Sequence, residues 1–189
     1  MAGKFFILCF LFCSAMAIIS SAMASEDSFE TSLNPKILKL KKEKLTRFHV
    51  YWHDVVGGKK PTSVPVLRGL DNVTLFGLIN MFDNPLTVGP DPKSRLVGRS
   101  QGLYASTAQH EIGLLMAMNF AFTYGKYNGS SITILGRNPI LHNVREMPVV
   151  GGTGRFRFAR GHALAKTQYF NSTTLDAIVE YDIYVLHYY

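Results

Sequence analysis

Hydrophobic and polar residues alternate with a period of two along most of the chain after Thr46. In the first such run, Phe48, Val50 and Trp52 alternate with more polar neighbours, and residues two apart lie on the same face of a β-strand. The same period recurs at residues 116–124, 131–135, 156–166 and 178–188. We find no helical stripe of a dozen residues and no internal repeat. The pattern therefore predicts an all-β protein.

The alternating runs are joined by turn-forming sequences. Asn128-Gly129 lies between two such runs, and this dipeptide is a strong signal for a β-hairpin. A sheet of many short antiparallel strands has edges to protect, and closure into a barrel removes them. A barrel of about eight strands encloses enough space for side chains or one small ligand. We therefore predict a single antiparallel β-barrel.

The N-terminus has the pattern of a secretory signal peptide. Lys4 precedes a largely apolar run from Phe5 to Ile19, and Ala22-Met23-Ala24 follows with the small-x-small pattern of a cleavage site. An uncleaved signal-anchor is the alternative, but Ser20 and Ser21 make the run short for a membrane span. We expect residues 1–24 to be removed and the protein to be secreted, without stable insertion in a membrane.

Composition excludes several classes of protein. The chain is 47% hydrophobic and 17% charged, which is typical of a folded globular domain and excludes a disordered or collagen-like chain. Both cysteines, Cys9 and Cys13, lie in the predicted signal peptide. The mature protein would therefore have no disulfide, no cysteine nucleophile and no thiolate metal site.

Positive charge is concentrated before the barrel. Five lysines and one glutamate lie between Lys36 and Lys44. We interpret residues 25–45 as a solvated basic arm, with attraction to a polyanion of the cell wall or to a membrane surface as the alternative. Residues 46–189 form the predicted barrel domain. Three sequons, at Asn72, Asn128 and Asn171, are candidate glycosylation sites in surface loops.

Three motifs with possible chemistry have structural explanations. Gly98-Arg99-Ser100-Gln101-Gly102 matches the serine hydrolase pattern, but that pattern needs a helix after the serine, and a strand-like sequence follows here. His49 and His53 would be about 13 Å apart on a strand, too far for one zinc ion. Residues 155–160 alternate arginine with phenylalanine, which suits a strand with phenylalanine inward. We expect no metal and no nucleic-acid partner.

Asp54 is a candidate catalytic residue. Alternation places it on the strand face of Phe48, Val50 and Trp52. Either its carboxyl group faces the barrel interior, where burial would raise the pKa and make the group a proton donor near neutrality, or Asp54 caps the turn at Gly57-Gly58. Both alternatives stay open at this point.

The chain resembles the dirigent family of secreted plant proteins. The resemblance covers residues 46–189 in order, and three segments carry it: Val50-Tyr51-Trp52-His53-Asp54, Gly98-Arg99-Ser100-Gln101-Gly102-Leu103-Tyr104, and the Val149–Gly154 segment with its following Phe156, Phe158, Ala159, Arg160 and Gly161. It implies an eight-stranded antiparallel barrel of the dirigent and allene oxide cyclase type. It also implies a homotrimer, no cofactor and a cavity that binds reactive phenolic intermediates.

The resemblance also implies which residues form the site. Asp54, Tyr104 and Arg145 match the acidic, tyrosine and arginine positions of the family's cavity, and Trp52 and Asn138 are expected to contact substrate. Asn138 is at a position where lignan-forming members usually have a second aspartate, and their pair of cysteines is missing here. An amide cannot act as a carboxylic acid does, so a two-acid mechanism at these positions is excluded.

Both differences make the chain similar to the branch that contains the pterocarpan synthases. The leading hypothesis is a carbon–oxygen lyase of plant defence metabolism, located in the apoplast, that dehydrates an isoflavanol through a quinone methide. Asp54 would donate the proton, and Arg145 and Tyr104 would stabilise the quinone methide oxygen. The alternative is a non-catalytic guide that directs coupling of monolignol radicals made by an external oxidase.

Overall fold

The structure is a computed structural model that describes residues 30–188. This part of the chain contains nine β-strands and three short 3-10 helices. The strands are β1 (Lys44–Asp54), β2 (Ser63–Leu67), β3 (Ile79–Thr87), β4 (Leu96–Ser106), β5 (Gly113–Phe122), β6 (Ser131–Pro139), β7 (Arg145–Gly152), β8 (Arg160–Phe170) and β9 (Ala177–His187). The 3-10 helices span Pro35–Leu38, Gly125–Tyr127 and Gly154–Phe156.

The chain divides into two compact units, at Lys39 and Leu40. In the described part of the first unit, Pro35–Leu38 forms a single turn that Asn34 caps by accepting a hydrogen bond from the Lys36 N–H. The second unit contains the barrel, and β1 begins at Lys44, so the end of the predicted arm belongs to the first strand. The predicted signal peptide, residues 1–24, lies outside the described residues. Within residues 30–188 no helix is long and apolar enough to cross a membrane.

The strands close into a barrel. β9, β8, β7, β6, β5, β4 and β3 follow β1 in that order, and every pairing is antiparallel. β3 pairs back onto β1 through Tyr51–Thr87 and Trp52–Leu86, while β2 pairs with the remainder of the same edge of β3. β1 and β2 therefore share one position, and the predicted eight-stranded barrel is confirmed.

Alternation sets which side chains fill the barrel. On β5 the inward residues are Leu114, Met116, Met118, Phe120 and Phe122, all of them buried. The same alternation holds on β9. At one end of the barrel an aromatic cluster fills the interior, where the Phe48 ring lies 4.9 Å from that of Phe122 and 5.5 Å from that of Phe156. This end is closed by packed rings.

The predicted strand over residues 156–166 begins too early. Phe156 ends a 3-10 helix and is fully buried against the Tyr127 ring at 5.1 Å. Phe158 has a φ of +62° and is 53% exposed, and β8 begins only at Arg160. The prediction of one strand with both phenylalanines inward is therefore wrong, because the turn at Gly154 (φ +60°) bends the chain out of the sheet first.

The segment that matches the serine hydrolase pattern lies in the middle of β4, paired on both sides. Gly98 and Gly102 are positions where a Cβ would collide with the backbone carbonyl oxygens of Ala121 and Ala117. These glycines allow close approach of β5. The Ser100 hydroxyl contacts the Met118 sulfur at 3.8 Å, with no helix following the serine.

Candidate active site

Four of the residues predicted for the site lie at the same end of the barrel. Asp54 ends β1, Tyr104 and Asn138 lie near the ends of β4 and β6, and Arg145 begins β7. Because neighbouring strands are antiparallel, the ends of β1, β4 and β6 and the start of β7 meet at one rim. This is the end opposite the aromatic cluster.

Asp54 faces the barrel interior and is only 6% exposed. Its Oδ1 accepts a hydrogen bond from Asn84 Nδ2 at 2.9 Å, and its Oδ2 accepts one from the Tyr104 hydroxyl at 3.4 Å. The turn after β1 is capped by a different carboxylate, since Asp176 Oδ1 accepts from the N–H groups of Val56 and Gly57 at 2.8 and 2.9 Å. The Asp54 carboxyl therefore faces the barrel interior and does not cap the turn.

Burial raises the pKa of Asp54 to about 6, against an ordinary value of 3.8. Hydrogen bonds from Asn84 and Tyr104 favour the carboxylate and keep the pKa from rising further. Burial also raises the pKa of Tyr104, which therefore keeps its proton and remains a donor. A substantial fraction of Asp54 is thus a neutral carboxylic acid near neutral pH.

A polar network orients the groups around Asp54. The Thr62 hydroxyl donates to Asn84 Oδ1, so the amide nitrogen of Asn84 is the part that faces Asp54. Asn80 Nδ2 donates to the Tyr104 hydroxyl at 2.8 Å, and Ser63 Oγ lies 3.2 Å from the same hydroxyl. Tyr104 is therefore held in place by contacts from β2 and β3.

Arg145 is a buried cation on a different wall of the barrel. Its side chain is on β7 and the residue is 3% exposed. Nε donates to Asn138 Oδ1 at 3.1 Å, and Nη1 donates weakly to the His142 carbonyl oxygen at 3.4 Å. Burial lowers the pKa of Arg145, but a guanidinium stays charged at physiological pH. Within residues 30–188 no carboxylate lies within ion-pair distance of it.

The structure therefore divides the predicted site into two clusters. Asp54 and Tyr104 form one, on β1 and β4, and Asn138 and Arg145 form the other, on β6 and β7. Tyr104 was expected to act with Arg145, but its hydroxyl is bonded on the Asp54 side. An acid and a guanidinium therefore lie on different walls at the same end of the barrel.

Comparison with known proteins gives the family. A family model described as dirigent-like protein matches residues 45–186. The chain belongs to the dirigent family. It is 50% identical over 173 residues to dirigent protein 21 of Arabidopsis thaliana, and the aligned residues cover 90% of this chain and 92% of the relative. It is also 50% identical over 165 residues to pterocarpan synthase 1 of Glycyrrhiza echinata, with 85% and 88% of the two chains covered.

A solved structure agrees with these relatives. The pterocarpan synthase dirigent protein GePTS1 superposes with a TM-score of 0.79 and 50% sequence identity, covering 85% of this chain and 100% of that chain. The resemblance stated from the sequence is thereby confirmed at the level of family and fold.

Trp52 lies on the wall of this dirigent barrel beside the Asp54 cluster. Its indole packs edge-to-face on Phe82, with ring centroids 5.4 Å apart. The Nε1–H is buried and has no hydrogen-bond partner within the described part of the chain. Trp52 therefore contributes mainly an aromatic surface.

Sequence reasoning missed Asn84, Asn80, Ser63 and Tyr181. Alternation on β3 contained the signal for two of them, because Asn80 and Asn84 share their strand face with the buried Phe82 and Leu86. Two amides on an apolar face indicate a buried polar network. No comparable signal singled out Tyr181, which belongs to an alternating run of ordinary hydrophobic character.

The two histidines considered for a metal have separate partners. His53 Nε2 lies 2.7 Å from the Thr87 hydroxyl in a buried contact. His49 is on the outer face, where its Nδ1 lies 2.9 Å from Asp182 Oδ1. His49, Asp182 and Glu180 bring ligand atoms within 4.8 Å of one another, but Arg47 already pairs with Asp182 at 2.6 Å. This exposed cluster is an ion-pair network on the outer face of the barrel.

Proposed function

We propose that this dirigent protein is a dehydratase that converts an isoflavanol, or a closely related phenolic benzylic alcohol, to a pterocarpan-type ring product. The observation that supports this most directly is the buried carboxyl of Asp54, with a pKa of about 6. Identity of about 50% to pterocarpan synthases supports the same reaction class.

In the proposed reaction Asp54 is the general acid. Its proton goes to the benzylic hydroxyl, the carbon–oxygen bond breaks, and water leaves with the bonding electron pair. The phenol conjugated with that carbon releases its proton to solvent, and a neutral quinone methide results. The acid form is required at the start, so the proposed rate falls as pH rises above the pKa of Asp54.

Arg145 would act at the other end of the intermediate. A buried guanidinium without a carboxylate partner is suited to bind an oxygen that gains negative charge as the phenol ionises. Asn138 holds the guanidinium through its Oδ1 without neutralising it. The Asp54 cluster would thus assist departure of the hydroxyl, and the Arg145 cluster would stabilise the phenolate oxygen whose electrons expel it.

Ring closure then restores the protons. An internal phenol attacks the benzylic carbon, its proton returns to the Asp54 carboxylate, and the quinone methide oxygen regains a proton to become a phenol again. The net change is loss of one water molecule, so neither an oxidant nor a cofactor is needed. Fixing the substrate between two walls favours one face of attack.

The test uses purified protein, a racemic isoflavanol and no oxidant, with the product analysed by chiral chromatography. We expect acceleration over buffer and an excess of one enantiomer. The matched control is Asp91→Asn, since Asp91 is an exposed aspartate in the loop after β3, where its Oδ1 accepts from the Lys93 N–H at 2.8 Å. A rate and product ratio equal to those in buffer would refute the dehydratase proposal.

A second candidate function is guidance of radical coupling. It is favoured by the relatives described simply as dirigent proteins, which match this chain as well as the pterocarpan synthases do. The protein would then act only with an external one-electron oxidase, and with monolignols it would produce an optically active lignan. The same chromatography, with and without laccase, distinguishes the two functions.

Assembly as a homotrimer is part of the proposal. A row of apolar side chains crosses the outer face of five adjacent strands in register: Val64, Met81, Leu103, Ala117 and Leu135. Met81 is 52% exposed, and the row up to Ala117 lines a groove with Asp83 and Arg99. Apolar surface of this extent favours association with another chain.

Secretion is proposed from the N-terminal pattern and the family. All three sequons lie in loops, with Asn72 and Asn128 exposed and Asn171 half-buried. Intact mass of protein secreted by plant cells, before and after glycan removal, tests both the cleavage after residue 24 and the use of the sequons.

A further inference from the structure

Tyr181 is a buried tyrosine that the proposed mechanism does not use. It lies in the middle of β9 on the inward face, with 1% of its surface exposed. Its ring packs edge-to-face on Phe120, with centroids 5.3 Å apart. The ring is therefore fixed by packing, and the hydroxyl has a defined direction inside the barrel.

Register places Tyr181 close to the arginine cluster. Tyr181 pairs with Ala165 on β8, and Ala165 pairs with Arg145 on β7. The three residues form one inward row, and the residue in the middle has only a methyl side chain. Neighbouring strands are about 4.8 Å apart, so two long side chains from β7 and β9 can converge above Ala165.

Electrostatics links Tyr181 to both clusters. Arg145 lowers the pKa of Tyr181 and Asp54 raises it, while burial, the largest effect, raises it. Tyr181 therefore keeps its proton and is a hydrogen-bond donor. The charges of Arg145 and Asp54 both affect the pKa of Tyr181, although Arg145 and Asp54 are not bonded to each other.

The Tyr181 hydroxyl has no hydrogen-bond partner among the described residues, and no hydrogen bond contributes to its pKa. The hydroxyl is not one of the fully enclosed polar atoms that lack a partner, so it borders the small exposed surface that Tyr181 retains. A hydroxyl without a partner inside a barrel calls for an explanation, and a ligand oxygen at that surface would supply the missing partner.

We propose that Tyr181 is a substrate-contact residue whose hydroxyl donates a hydrogen bond to the same phenolic oxygen that Arg145 binds. The inference rests on the proposed function for the identity of the ligand class, a phenol whose oxygen gains negative charge. It adds a neutral donor beside the cation, so that the oxygen is held from two strands and the ring has one orientation.

The experiment measures binding without chemistry. Trp52 is the single tryptophan of the chain and lies in the barrel, so its fluorescence reports a bound ligand. The probe is an isoflavan with the phenolic hydroxyls but without the benzylic hydroxyl, which cannot be dehydrated. Tyr181→Phe removes only the hydroxyl, and Tyr184→Phe is the matched control, because Tyr184 faces outward on the same strand and stacks on His162 at 5.1 Å.

We expect Tyr181→Phe to weaken binding of the probe about 3- to 10-fold, the range of one hydrogen bond, and Tyr184→Phe to leave it unchanged. A probe whose phenolic hydroxyl is replaced by hydrogen should bind wild type and Tyr181→Phe equally well. Equal affinity of wild type and Tyr181→Phe for the hydroxylated probe would overturn the inference.

Ala165→Leu gives a second test that retains Tyr181. Ala165 has no exposed surface, so a leucine there would displace the side chains of Arg145 and Tyr181, and affinity for the probe should fall at least 10-fold. Unchanged affinity would show that these two side chains do not contact the ligand. Wild-type protein that binds the probe but does not dehydrate an isoflavanol would refute the proposed function and leave the Tyr181 contact standing.

Discussion

Replacing Asp54 by asparagine tests the central chemical argument, because activity and stability are expected to change in opposite directions. The amide has the shape of the carboxyl but cannot donate a proton as an acid does. It can still accept from Asn84, and its own N–H can donate to the Tyr104 hydroxyl, which in turn has Ser63 within 3.2 Å. The polar network is therefore preserved while the acid is lost.

The size of the effect on activity follows from proton donation. With a pKa of about 6, roughly one Asp54 side chain in ten is protonated at pH 7, against about one in a thousand for an ordinary aspartate. A positioned general acid contributes about 10²- to 10⁴-fold. We expect Asp54→Asn to lose that factor in kcat/KM, and the wild-type rate to fall as pH rises above about 6.

The size of the effect on stability follows from the same pKa. The folded-state pKa is raised above the unfolded value of 3.8, so the folded protein binds this proton more tightly. The contribution of Asp54 to the free energy of unfolding is fully present below about pH 4 and is lost as the pH rises to about 6 and above. A difference of about two pH units corresponds to about 3 kcal/mol.

Asp54→Asn removes this cost, because an amide has no charge to bury. At pH 7 the variant should melt roughly 6 to 12 °C higher than wild type, using the usual relation for a domain of this size. At pH 4 the two melting temperatures should converge. Calorimetry at both pH values, together with the isoflavanol assay, provides the measurement.

Two results would refute the reasoning. A variant that is less stable than wild type at pH 7, with no dependence of the difference on pH, would mean that the Asp54 carboxylate is not destabilised by burial. Full activity of Asp54→Asn would mean that another group donates the proton. Asp91→Asn, the exposed control in the loop after β3, should leave the melting temperature close to that of wild type, as surface substitutions usually do.

Three further changes have defined outcomes. Asn138→Asp places a carboxylate where the amide oxygen now accepts a hydrogen bond from Arg145 Nε at 3.1 Å. The carboxylate would neutralise the guanidinium, so kcat should fall about 10-fold or more. An unchanged kcat would exclude a charge-based role of Arg145. Arg145→Met should lower kcat/KM about 10²-fold without lowering the melting temperature, because it removes a buried charge without a carboxylate partner; calorimetry that shows a marked loss of stability would contradict this. Leu103→Glu, in the outer apolar row, should convert a trimer to monomers in light scattering, whereas Glu146→Gln, at an exposed outward position on β7, should leave the oligomer intact.

Local sequence was sufficient for β1, β5, β6 and β9, and for the strand face that Asp54 shares with Trp52. A period of two is a property of each strand alone, and one inward apolar face is enough to identify it. Local sequence failed at residues 156–160, where the same alternation occurs but Phe156 packs on Tyr127 in a 3-10 turn. The pattern there is real, but burial in the aromatic cluster takes precedence over strand formation.

The sequence by itself determined the fold class, the family motifs and the strand face that Asp54 shares with Trp52, but it left open whether the carboxyl faces the interior or caps the turn. Only the tertiary structure decided which groups meet: it placed Tyr104 with Asp54 rather than with Arg145, and it brought Arg145, Ala165 and Tyr181 into one row. The physical reason is that strand periodicity is local, whereas cross-strand register is set by barrel closure between segments far apart in the chain. The pKa of Asp54 likewise depends on the closed barrel, since exclusion of water by the surrounding strands is what destabilises the carboxylate.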